Sequence, residues 1–117
     1  MKIAADILVG LVAALHLYFL VLEMFLWTAP RTRAAFGTTE EFANASKALA
    51  ANQGLYNGFL VAGLVYGLIA SSLAFQVFFL ICVIVAGLYG AATANRRILL
   101  VQALPGALAL AAVLIAR

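Results

Sequence analysis

Charge is scarce in this sequence. Four acidic and seven basic side chains occur in 117 residues, so 9% of the chain is charged and 68% is hydrophobic. That balance excludes an ordinary soluble domain, and a chain this short has too little interior to bury so many apolar residues on every side. The single cysteine, Cys82, excludes a disulfide within the chain; set in FFLICVIVAG, it reads as a small hydrophobe. The cations Lys2, Arg31, Arg33, Lys47, Arg96, Arg97 and Arg117 fall between apolar runs or at the chain ends rather than in one patch. Nucleic acid is therefore not a partner the charge pattern suggests. One histidine and a few amides fall short of the three or four ligands a metal centre needs, and neither a nucleophile elbow nor a zinc-binding motif is present. That absence weakens an enzymatic reading without removing it.

What the chain does contain is long apolar runs. The first spans Ile3 to Trp27, long enough at ~1.5 Å per residue to cross a ~30 Å hydrocarbon layer. It exceeds the apolar core of a secretory signal, carries Asp6, His16 and Glu23, and lacks a small-x-small cleavage site, so it is expected to remain in the mature protein. Thr28-Ala29-Pro30 ends it, and Arg31 to Gly37 reads as a short basic connection. Thr38 followed by Glu41 predicts an N-cap with a capping box, opening one long helix to about Ala70 whose first three turns lie outside the membrane. Ser71-Ser72 is a tight turn, Phe75 to Ala94 the third run, Asn95-Arg96-Arg97 the second charged connection, and Ile98 to Ala116 the fourth run. Within the fourth run Pro105 releases the carbonyl of Val101 and predicts a kink.

The expected fold is all-α: a single transmembrane domain, an antiparallel up-and-down four-helix bundle with spans of about 3–27, 51–70, 75–94 and 98–116 and with the second helix extended into the cytoplasm. Five of the seven basic residues lie in the one-to-two and three-to-four connections. Positive-inside counting places those connections in the cytoplasm and both termini outside.

Ionisable groups inside a span are costly and mark function. His16 and Glu23 are seven residues apart, about two turns and roughly 10 Å along one helix face. Glu23 shares its depth with Asn52, Gln53 and Asn57 of the second helix and Gln102 of the fourth. Gln53 and Asn57 lie ~40° apart around their helix and Asn52 lies ~140° from Asn57, so Gln53 and Asn57 are expected to be the inward pair. The candidate ligand-binding or proton-carrying residues are thus His16, Glu23, Gln53, Asn57 and Gln102, lining a pocket open to the cytoplasm. Gly54-x-x-x-Gly58 and Gly63-x-x-x-Gly67 predict close helix approach.

The stretches HLYFLVLEMFLW (His16 to Trp27) and ANQGLYNGFLVAGL (Ala51 to Leu64) resemble the bacterial membrane family catalogued as domain of unknown function 1304. NQGLYNG carries most of that resemblance. It implies a compact four-helix protein of the bacterial inner membrane and implies no reaction or cofactor. A second likeness, of architecture alone, is to the small multidrug-resistance exporters, with four short spans and a glutamate in the first. The leading expectation is binding of a small lipophilic or cationic molecule, with Glu23 as counter-charge or proton carrier in a minimal proton-coupled exporter that assembles as a homo-oligomer. The alternatives are an intramembrane enzyme on a lipid or quinone-like substrate, with His16 and Glu23 as acid and base, and a structural accessory subunit.

Overall fold

The computed structural model describes residues 1–117. The chain is all-helical, with α1 at Lys2–Met24, α2 at Pro30–Phe36, α3 at Glu40–Ala45, α4 at Lys47–Ile69, α5 at Leu73–Thr93 and α6 at Leu104–Ala116, the last preceded by a π turn at Leu99–Ala103. Three stretches are long and apolar enough to cross a membrane: Lys2–Met24, Leu73–Thr93 and Leu99–Ala116. Helix α4 has the same 23-residue length as α1 but is not among them, because Asn52, Gln53 and Asn57 dilute its hydrophobicity.

The chain forms two compact units, Met1–Ala14 with Leu60–Arg117, and Leu15–Phe59. In the first unit, Ala5, Val9, Val12 and Ala13 recur at helical spacing on one face of α1 and pack into a core with Leu64, Leu80, Val83, Ala109 and Val113. The opposite faces are equally apolar. Ile7, Leu11, Phe78, Val85 and Ile115 are each more than half exposed, an apolar outer surface compatible with a hydrocarbon environment. Gly87 makes the closest approach of a glycine to another stretch of backbone: a Cβ there would stand 2.6 Å from the amide nitrogen of Ala103 and 2.9 Å from its Cα.

Helix ends in this unit are closed by the chain itself. Ser71 adopts the left-handed conformation at φ 50°, Ser72 N–H donates to the Gly67 carbonyl at 2.9 Å and Ser71 N–H to Leu68 at 3.3 Å, a Schellman closure of α4. Ser72 then caps α5, its hydroxyl accepting from Phe75 N–H at 3.2 Å. The irregularity expected from Pro105 takes the form of the π turn, in which Leu104 N–H reaches back to the Leu99 carbonyl.

The second unit departs most from expectation. Helix α1 ends at Met24, short of Trp27, and Pro30 opens a helix where only a connection is expected. Proline suits the first turn, where its missing N–H costs nothing, and Gly37 at φ 70° closes the helix on the Arg33 carbonyl. Thr38 N–H also bonds Arg33 O, at 3.0 Å, so Thr38 finishes α2 and cannot start α3. The cap is Thr39, which accepts from Phe42 N–H at 3.1 Å. Phe42 stands where a capping box needs Glu or Gln, so the box expected from Thr38 and Glu41 does not form. The long second helix also breaks, at Ser46. Its hydroxyl donates to the Phe42 carbonyl at 2.7 Å and accepts from Trp27 Nε1 at 3.1 Å, while the indole meets the Phe36 ring edge-on at 5.0 Å. A serine bonding back to the preceding turn competes with the helix ladder.

The glycines of the first unit make a paired prediction. Gly87→Ala forces Ala103 backbone to shift and is expected to destabilise the detergent-solubilised protein by ~1–3 kcal/mol. Gly10→Ala meets nothing within 4 Å and is expected to leave stability unchanged or raise it by up to ~1 kcal/mol. Thermal unfolding followed by circular dichroism compares the two, and equal melting temperatures for both variants would contradict the packing described.

Candidate functional site

In the second unit, the C-terminal part of α1 meets the N-terminal part of α4 across Gly54. A Cβ at position 54 would lie 2.5 Å from Met24 Cγ, 3.2 Å from Glu23 Cβ and 3.3 Å from the Leu20 carbonyl oxygen. Only a glycine admits that approach. Gly58, one turn further, faces Leu20, whose Cδ1 would be 3.0 Å from an added Cβ.

Asn57 lies between those two glycines in the sequence and to one side of them around the helix, and its Nδ2 donates to Glu23 Oε1 at 2.6 Å. Asn57 is buried, at 8% exposure, whereas Glu23 is half-buried. The ion pairs of the chain are Lys2 with Asp6 at 2.8 Å and Arg33 with Glu40 at 3.9 Å, so no cation of the protein pairs with Glu23. Its carboxyl is held by a neutral amide through one oxygen. The second oxygen accepts no hydrogen bond from the chain and is not sealed from its surroundings.

His16, two turns before Glu23, is completely buried at 0% exposure. Its ring stands edge-on to Phe19, with centroids 5.4 Å apart and planes at 72°. Tyr18 faces outward, more than half exposed.

The structure thus joins Glu23 to Asn57. Gln53 is exposed, which corrects its pairing with Asn57 as an inward residue. The direction that faces α1 is set by Gly54 and Gly58; Asn57 is ~80° from their midline and Gln53 ~120°, turned off that face. Asn52 is exposed as well. Gln102 belongs to the other unit, half-buried on the π turn.

Sequence reasoning passed over Gln76, which is buried at 8% exposure in the first unit and donates from Nε2 to the Gly67 carbonyl at 2.9 Å. A glutamine one turn inside an apolar run was the signal. Gln76 also lines a cavity of about 170 Å3 with Lys2, Asp6, Ser71 and Arg117, and none of the five residues singled out from the sequence lines that cavity. No group of three or more His, Cys, Asp or Glu side chains is placed to hold a metal ion.

Comparison with known proteins adds relatives and no activity. A protein described as "Uncharacterized protein YpaA", from Lactococcus lactis subsp. lactis (strain IL1403), is 36% identical over 106 residues, covering 87% of this chain and 89% of that protein. No solved structure matches. Residues 10–114, which contain both HLYFLVLEMFLW and NQGLYNG, match the family described as "Protein of unknown function (DUF1304)". The chain belongs to that family.

Proposed function

We propose that this chain is a multi-pass protein of the bacterial cytoplasmic membrane, folded as a four-helix bundle, in which Glu23 binds a small lipophilic cation in exchange for a proton. The observation that carries the reading is the half-buried Glu23 carboxyl, tied to Asn57 through one oxygen and without a cation of its own. An unpaired carboxylate on a membrane helix is costly enough to be either protonated or matched by a charge from outside the chain. An exchange between proton and cation satisfies both conditions with one group.

Helix α4 is the fourth span of this proposal. Its 23 residues are long enough, and Asn57, its deepest amide, spends its donor on Glu23 rather than on lipid. Asn52 and Gln53 stand one to two turns from Lys47, within reach of a membrane surface. The five cations in the α1–α4 and α5–α6 connections support a cytoplasmic location for both, with the termini outside. A complete path through the membrane would require several copies of so small a chain, so the proposal includes a homo-oligomer.

The burial of His16 favours binding over catalysis. A fully buried imidazole packed on Phe19 offers no surface to a lipid or quinone-like substrate, so an acid–base pair with Glu23 lacks one member at the point of contact.

The test uses a lipophilic phosphonium cation, tetraphenylphosphonium, titrated calorimetrically into the detergent-solubilised protein. Glu23→Gln keeps an oxygen to accept from Asn57, so the fold is expected to survive while affinity falls by at least about tenfold, the loss of one charge-assisted contact. Because protons and cation compete for the same carboxyl, wild-type affinity is expected to weaken as pH falls, and the variant to show no such slope. Equal affinities for wild type and Glu23→Gln, or a wild-type affinity independent of pH, would overturn the proposal.

The supporting amide has a separate signature. Asn57→Leu removes the donor while leaving the carboxyl in place, and is expected to lower unfolding stability by ~1–3 kcal/mol. Adding Glu23→Leu to Asn57→Leu is expected to recover part of that loss, since two apolar groups leave nothing unsatisfied; a double variant less stable than Asn57→Leu would show that the hydrogen bond is not the relevant contact.

A further inference from the structure

We infer that the cavity lined by Lys2, Asp6, Ser71, Gln76 and Arg117 is a binding site for the phosphate group of a glycerophospholipid. The site lies wholly within the first unit, where the start of α1, the α4–α5 turn and the end of α6 come together around about 170 Å3. Three features of its walls specify the ligand.

The first is charge. Two cationic side chains, Lys2 and Arg117, and one acidic side chain, Asp6, line the wall, and Lys2 already meets Asp6 at 2.8 Å. Arg117 has no ion-pair partner in the chain, and its planar guanidinium suits two phosphate oxygens at once. The first turns of α1 and α5 border the cavity, at Lys2, Ala5 and Leu73, and the ends of α4 and α6 border it too, at Ser71 and Ala116, so the helix dipoles offset one another and the side chains set the charge.

The second is the acceptor set deeper in. Gln76 commits its amide nitrogen to the Gly67 carbonyl, which leaves its oxygen without a donor from the chain. Together with Asp6 it provides acceptors for the hydroxyl or ammonium that a phospholipid head group carries next to its phosphate.

The third is the remainder of the wall. Leu73 and Val113 are apolar, and Val113 is part of the packed core. The cavity therefore combines charged and apolar walls, as a head group with its glycerol neck requires, at the ends of three helices long and apolar enough to cross a membrane. Basic pockets between membrane helices hold lipid head groups on this principle. Free phosphate would use the first feature and waste the other two. The inference shares only the membrane setting with the proposal for Glu23, and that residue supplies the control.

The full chain, stripped of lipid in a non-ionic detergent, is titrated with phosphatidylglycerol, with diacylglycerol, which lacks the phosphate, and with inorganic phosphate, and retained ligand is read by native mass spectrometry. Phosphatidylglycerol is expected to be retained and diacylglycerol not. Combining Lys2→Gln with Arg117→Gln is expected to lower retention on the order of tenfold or more, with Arg117→Lys intermediate. Ala116→Phe fills the cavity without changing its charge and is expected to lower retention equally, while Glu23→Gln leaves it intact. Equal phosphatidylglycerol retention by wild type, the charge variant and Ala116→Phe would overturn the inference. Retention of diacylglycerol as strong as that of phosphatidylglycerol would remove phosphate recognition, and displacement of the lipid by millimolar inorganic phosphate would reassign the site to the free anion.

Discussion

A carboxyl group on an apolar helix has to find a donor, and in this protein the donor reaches it only because two backbones come unusually close. Gly54 lets α4 settle against Leu20, Glu23 and Met24 of α1, and Asn57, less than one turn further on, then places its amide 2.6 Å from the carboxyl. The order of dependence runs from backbone to side chain. A side chain at position 54 would displace Met24 and crowd Glu23 and the Leu20 carbonyl, and a shift of α4 large enough to part Asn57 from Glu23 would leave a buried amide without an acceptor, at the desolvation cost of the unpaired group. The NQGLYNG segment is therefore one device: its first glycine sets the distance, its second asparagine makes the bond, and its second glycine extends the contact by a turn.

The long elements were legible in the residues because apolar runs of twenty residues admit few other structures. The glycine pairs were legible too, and the structure gives each pair a different neighbour: Gly54 and Gly58 face α1, whereas Gly63 and Gly67 face Phe79 and Gln76 of α5. The short helices between α1 and α4 were not. Pro30 was read as a terminator, although proline at a first helical turn is as much a beginning, and Gly37 seven residues later completes that pattern. The break at Ser46 could not be read from propensity alone, since it depends on Trp27, nineteen residues away, offering its indole N–H to the serine hydroxyl. A helix through Ser46 would satisfy local preference, and tertiary contact overrides it.

Of the candidate site, Glu23 with Asn57 was legible from shared depth and helical phase. Gln53 was misplaced because an angle of ~40° between two residues says they are neighbours and leaves open where the face they share is centred. The glycines settle that centre, and they were available in the same segment: the small residues mark the line of closest approach, so the polar residue nearest to them is the buried one. Gln76 was missed for a related reason. It was treated as part of a run, yet a glutamine one turn inside an apolar helix needs an acceptor, and it finds one in the Gly67 carbonyl at the end of the preceding helix, which accepts a second bond beside that from Ser72 N–H.

Asn57 and Gln76 show how an amide in apolar surroundings can be structural in one place and leave room for function in another. Gln76 donates to the Gly67 carbonyl, which also receives Ser72 N–H. Both partners there are neutral, their number of protons is fixed, and the bond serves to hold the α4–α5 turn. Asn57 donates to a group whose charge can change. An amide N–H bonds the ionised carboxylate more strongly than the carbonyl oxygen of the protonated acid, yet it can donate to either, so Asn57 can hold Glu23 in place in both states. Lysine or arginine at position 57 would have made an ion pair of the contact. With a neutral amide as partner, Glu23 keeps no counter-charge from the chain, the condition that the proposed exchange requires.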